Sequence, residues 1–277
     1  MIIFIIIFLF INSIIITASI IDSTNIFLYK VLPSLFILLF LNEYLSKSFE
    51  FYFSGKLLKK ILKPIFKTDN PYIYSTILFS SIIGAPSNAI LIHNLYKNKL
   101  IDYSDSNKLL MFCAYINPIF VYNMATNFEF KIVFFIIPII INLLIGICLK
   151  WELKQDSKDY LMYKISFTNL LSKISSNLFM IFTTITFSNA LISILSYYFE
   201  IEKYMLGFIE ISIGLSYINN NYLLFLILIS FQGLAINIQI YNIIKKDLSY
   251  FKYLLGRIFS VIILLIFYVF FYFFNFR

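Results

Sequence analysis

The sequence predicts an all-α polytopic membrane protein of about seven to eight hydrophobic helices, built as two inverted-type repeats that each hold a broken or re-entrant segment. Three observations carry that prediction. Of 277 residues, 61% are hydrophobic and only 13% charged, and the mean hydropathy is +0.88. A soluble domain of this size cannot hide so much apolar surface. Apolar runs of spanning length recur at 2–20, 27–45, 72–95, 109–125, 131–149, 177–199, 222–243 and 256–275. Residues that weaken helices gather inside some of these runs rather than between them.

Taken in order, residues 1–20 lack a basic leader region and carry a long apolar run, so they read as a retained first span. The chain then divides, within a single membrane domain 1–277, into an N-terminal span (1–24), a first repeat (25–125), a connecting span with a basic loop (126–176) and a second repeat (177–277). In each repeat a span is followed by a short piece, an interrupted apolar segment and a further span. The first short piece, 51–66, sets Lys56, Lys59, Lys60 and Lys63 opposite Leu58, Leu62 and Ile65, the pattern of a helix lying in the membrane interface. The second, 205–218, aligns Gly207, Glu210, Gly214 and Tyr217 on one stripe, where small residues permit close approach.

Basic residues collect in the connections 46–71, 96–108, 150–176 and 244–255, among them Lys47, Lys154, Lys158 and Lys164. Connections 21–26, 126–130 and 200–221 are poor in them. With the basic connections in the cytoplasm, the path alternates only if 72–95 turns back to the side it left. The expected location is a bacterial cell membrane with the N-terminus in the cytoplasm. The net charge of +8 belongs to these loops, so the expected partners are the lipid bilayer and a small molecule, not nucleic acid. Oligomeric state is left open, a homo-oligomer included.

The segment that must turn back contains Gly84, Pro86, Ser87 and Asn88. Proline removes an amide donor and glycine permits unusual dihedrals, so a helix breaks here. Interrupted backbone at membrane depth is tolerated only where it lines a cavity or is buried in protein. A half-helix N-terminus with free amides would suit an anion; a merely kinked span reads equally well from this segment alone. Asn117-Pro118 forms another break. Around Gly233, the amides Gln232, Asn237, Gln239 and Asn242 crowd an apolar run, either to read a polar solute or to join helices. Glu210 is the candidate for holding a coupling proton or cation. His93, the sole histidine, reads as an interfacial residue. Cys113 and Cys148 have no ligand partners at metal-binding spacing, and no metal, cofactor, catalytic triad or nucleotide loop is expected, so an enzyme is not.

The run GAPSNAILIHNLYKNKLIDYSDSNKLLMFCAYINPIF, residues 84–120, resembles the bacterial sporulation integral membrane protein family, a branch of the nucleoside-recognition or gate-domain membrane proteins. Gly84, Pro86, Ala89, Asn117, Pro118 and Phe120 carry the match. Glu210 and Gly214 match a second element, and Phe231, Gly233 and Gln239 a third. Asn88 stands where that family usually has glycine, Gln232 and Ala235 replace glycine and serine, and Ala114 replaces a polar residue. The resemblance implies a carrier or facilitator for a small anionic or nucleoside-like metabolite, with dipicolinate transport in sporulation as its best-understood case. Under it, Gly84, Pro86, Ser87, Asn88, Asn117, Pro118, Gln232, Gly233, Asn237 and Gln239 would form the substrate site. A non-transporting scaffold for spore or envelope assembly is the alternative.

Overall fold

The computed structural model describes residues 10–45, 48–125, 128–151, 166–219 and 221–275. The start of the 2–20 run, together with Lys47, Lys154, Lys158 and Lys164, lies outside the described residues. Among these residues the regular elements are all helical, and an isolated bridge pairs Ala85 with Ile116.

Two long helices form a central pair. Helix α1 (Ser13–Ile26) passes through a π-helical turn, Phe27–Val31, directly into α2 (Leu32–Leu45). The connection expected at 21–26 is therefore helical. Without glycine or proline in that stretch nothing interrupts the backbone ladder, and the single Asp22 is carried on an exposed face. Helix α9 (Phe167–Tyr198) runs antiparallel to this rod. Tyr198 Oη donates to Asn12 Oδ1 (3.2 Å), Asn189 Nδ2 donates to Ser23 Oγ (2.7 Å), and Phe27 meets Phe182 at 5.0 Å. At the far end Lys173 lies 3.6 Å from Glu43.

Between these rods the chain makes α3 (Phe49–Phe66), α4 (Pro71–Ile83), α5 (Ser87–Lys97), α6 (Tyr103–Cys113), α7 (Pro118–Met124) and α8 (Lys131–Cys148). Ser48 caps α3 by accepting from Phe51 N at 3.2 Å. Its exposed stripe of Phe53, Leu57 and Ile61 lies beside exposed Lys56, Lys60 and Lys63, as a helix at a membrane interface requires. Asn70 starts α4 by accepting from Tyr72 N (3.0 Å), and its amide donates to Leu100 O (2.6 Å) beyond the end of α5. The open ends of α4 and α5 thus meet, and 71–97 is a helical hairpin with its tip at Gly84–Pro86.

After α9 come a 3-10 turn (Lys203–Phe208), α10 (Ile211–Ser216), α11 (Tyr222–Phe231), α12 (Gly233–Ile244) and α13 (Tyr250–Asn275). Tyr222 packs on Phe128 and Phe134 at the start of α8, whereas Asp247, beyond α12, meets His93 at the end of α5. The segment 222–244 therefore runs from one end of the molecule to the other, broken at Gln232.

Among the described residues four helices are long and apolar enough to cross a membrane: 131–148, 167–198, 222–244 and the described part of the last, 250–270. This is fewer than the eight apolar runs. Of the other runs, 72–95 doubles back as a hairpin, 109–125 is cut into two half-helices, and 27–45 continues the preceding helix through the π-helical turn.

Candidate functional site

The helix breaks converge. At the hairpin tip Gly84 adopts φ +70°, and Ala85 N donates to Tyr115 O (2.6 Å), laying the tip alongside the Ala114–Asn117 break. A side chain at Gly84 would run into the backbone of Asn117. Asn117 caps α7 by accepting from Ile119 N (2.8 Å) and Phe120 N (3.3 Å), with Pro118 at the first helical position. Gln232 bends left-handed between α11 and α12 at φ +74°. Gly233 follows at φ +67° and packs close to Gly207 O and Ile211 N. Glu210 completes the set. It caps α10 through Oε1, which accepts from Ser212 N (3.2 Å) and Ser212 Oγ (2.8 Å).

A cavity of about 60 Å³ lies where these breaks meet. Its polar wall is Glu210, Ser212, Asn117 and Gln239; its apolar wall includes Val31, Leu35, Phe120, Ile181, Ile185 and Ile236. Val31 closes the π-helical turn, a distortion common at functional positions and without a sequence signal here. A larger vestibule of about 440 Å³ shares Val31, Phe120 and Ser212 with the cavity and continues to exposed Glu200 and Tyr217. The two spaces are neighbours across these three residues, and the vestibule lies toward the end of the molecule opposite the basic connections.

The residues named from sequence separate into two groups. Pro86, Asn117, Glu210 and Gln239 line the cavity. Gly84, Ser87, Asn88, Pro118, Gln232, Gly233 and Asn237 stand behind its wall and complete broken backbone. Helix α6 ends at Cys113, and each following carbonyl needs a donor. Asn88 Nδ2 donates to Cys113 O (2.8 Å) and Ser80 O (3.2 Å). Gln232 Nε2 donates to Ala114 O (3.0 Å), and its Oε1 accepts from Tyr253 Oη (3.1 Å). Asn237 Nδ2 donates to Gly233 O (2.5 Å) and Phe231 O (3.2 Å). The Ser87 carbonyl accepts from Asn42 Nδ2 (2.8 Å).

Comparison with family models, curated proteins and solved structures finds no match.

The free-amide expectation at 84–95 is corrected by that geometry. Asn88 N donates to Gly84 O, and Ala89 N and Ile90 N donate to Pro86 O. Ala235 N donates to Ile209 O, and the first amides of α7 and α10 are taken by Asn117 and Glu210. These amides of the half-helix N-termini donate within the protein.

Sequence reading missed one residue of note. Arg257, on α13, is 1% exposed and donates through Nη2 to Met111 O (2.9 Å) and Asn142 Oδ1 (2.7 Å). Its Nε and Nη1 have no hydrogen-bond partner among the described residues. A positive charge near the C-terminal end of α6 complements that helix dipole. The signal was there to find: a lone arginine inside the last apolar run.

Proposed function

We propose that the chain is a membrane carrier or facilitator for a small polar metabolite, with the cavity at the convergent breaks as its substrate site. The single observation that carries this reading is a polar-walled cavity at the convergent helix breaks, with a larger vestibule beside it that shares Val31, Phe120 and Ser212. Backbone breaks are costly at membrane depth, and a cavity is what makes them useful. The antiparallel pairing of 13–45 with 167–198, each followed by short and interrupted segments, supports two inverted repeats moving against each other. Glu210 is the candidate for a coupling ion, and membership in the sporulation integral membrane protein family remains part of this proposal.

The resemblance implies an anionic or nucleoside-like substrate, dipicolinate included. The amides already bonded within the protein count against the anionic kind. Uptake into liposomes carrying the purified protein tests the reading, with labelled uridine and dipicolinate and the variants Gln239→Ala and Gln232→Ala. Gln239→Ala is expected to reduce uptake without loss of folded protein, and Gln232→Ala to reduce the folded fraction. Equal uptake by folded wild type and Gln239→Ala removes the site assignment. Uptake of nothing by wild type favours the scaffold.

A further inference from the structure

We propose that the solute held in the central cavity is a small organic cation, an amine- or guanidine-bearing molecule that also carries an acceptor oxygen. This deepens the carrier reading above and rests on it. The chain has 22 lysines and arginines, yet among the described residues none lines the cavity or the vestibule. The vestibule instead carries Asp22 and Glu200, and the cavity carries Glu210. A passage lined by one sign of charge raises the local concentration of the opposite sign.

Glu210 makes the case specific. It is 4% exposed and has no ion-pair partner among the described residues. Its Oε1 takes both hydrogen bonds from Ser212, which leaves Oε2 without a donor among the described residues. A buried carboxylate without a counter-ion is costly, and a cationic N–H group in the cavity supplies one. Asn117 gives the second, independent pointer. Its Nδ2, on a residue 2% exposed in the cavity wall, has no partner among the described residues. It is a donor, so it calls for an oxygen on the ligand. An anion would face Glu210 across the same small space, with the neighbouring half-helix amides already occupied.

The test uses liposomes loaded with the full chain and four probes: ethanolamine, 2-guanidinoethanol, uridine and dipicolinate, with sodium flux measured in parallel. Expected is uptake of ethanolamine or 2-guanidinoethanol above protein-free liposomes, faster under an inside-negative potential. Glu210→Gln is expected to weaken that uptake at least about tenfold. Glu202→Gln, an exposed acid lining neither space, is expected to leave it unchanged. Should Glu210→Gln fail to fold, the potential dependence and the ranking of probes in wild type decide the matter alone. Uptake of dipicolinate or uridine with neither amine overturns the cation class and leaves the carrier reading standing. Glu210-dependent sodium flux without amine uptake overturns it in favour of an inorganic ion. Uptake of none of these overturns both.

Discussion

The side-chain amide of Asn88 reaches the carbonyl of Cys113 at 2.8 Å and that of Ser80 at 3.2 Å, joining the tip of one helical hairpin to the broken end of α6. Asn88 is wholly buried, so these carbonyls have no water to fall back on. The pattern repeats at Gln232, which donates to the next carbonyl, Ala114 O. Amides that look in the sequence like substrate ligands act here as interior helix caps.

Asn88→Ala is therefore expected to lower stability by about 1–3 kcal/mol, the cost of leaving buried carbonyls unpaired. Thermal unfolding in detergent checks this. Ligand affinity of the folded fraction should stay near wild type, and a large affinity loss at unchanged stability would contradict the capping role.

Arg257 and Asn142 form a pair with unequal partners. Asn142→Leu leaves a buried guanidinium with Met111 O as its remaining acceptor, whereas Arg257→Met removes the buried charge together with its desolvation cost. Asn142→Leu is expected to be the more destabilising of the two by about 1 kcal/mol or more. Unfolding measurements on both variants test the order, and the reverse order would refute a charged Arg257.

Gly84 combines φ +70° with ψ 172°, a region that side chains avoid, and packs directly against Asn117. Gly84→Ala is expected to cost about 1–3 kcal/mol for the backbone alone, with the clash added to it. Because the hairpin tip lies on the wall of the cavity, ligand binding should weaken as well. Binding isotherms and unfolding curves that both match wild type would rule out this packing.

Asp247 lies in the connection after α12, where His93 Nε2 at 2.6 Å and then Lys97 at 3.4 Å hold its carboxyl below the usual carboxylate range. A lowered pKa stabilises the folded contact above the ordinary pKa and loses that contribution as pH falls through the lowered one. The tie between α5 and 245–249 should thus persist from neutral pH down to about pH 4. Hydrogen exchange of 245–249 measures it. Asp247→Asn should speed exchange at neutral pH, and wild-type loosening already above about pH 5 would contradict the assignment.

Much of the fold was legible because its causes are local. Apolar run length marks a membrane-crossing segment, as at 131–148, and Gly84, Pro86, Asn117-Pro118 and Gly233 mark breaks whatever surrounds them. The basic connections also foretold that 72–95 doubles back, since loop charge depends on the loop alone. Helicity through 21–26 was missed because Asp22, Ser23, Thr24 and Asn25 look like a polar connection until Ser23 is seen to accept from Asn189 on the facing helix.

By itself, then, the sequence determined an all-α chain rich in apolar helices, the places where those helices break, and Glu210 as an acid among them. Only the tertiary structure decided which polar groups face a cavity and which mend backbone. Gln232 and Gln239 are the same residue type seven positions apart, yet one caps Ala114 and the other lines the cavity. The reason is physical. A buried amide goes to whichever unsatisfied group the fold brings within reach, and the carbonyl that claims Gln232 lies 118 residues away in the chain.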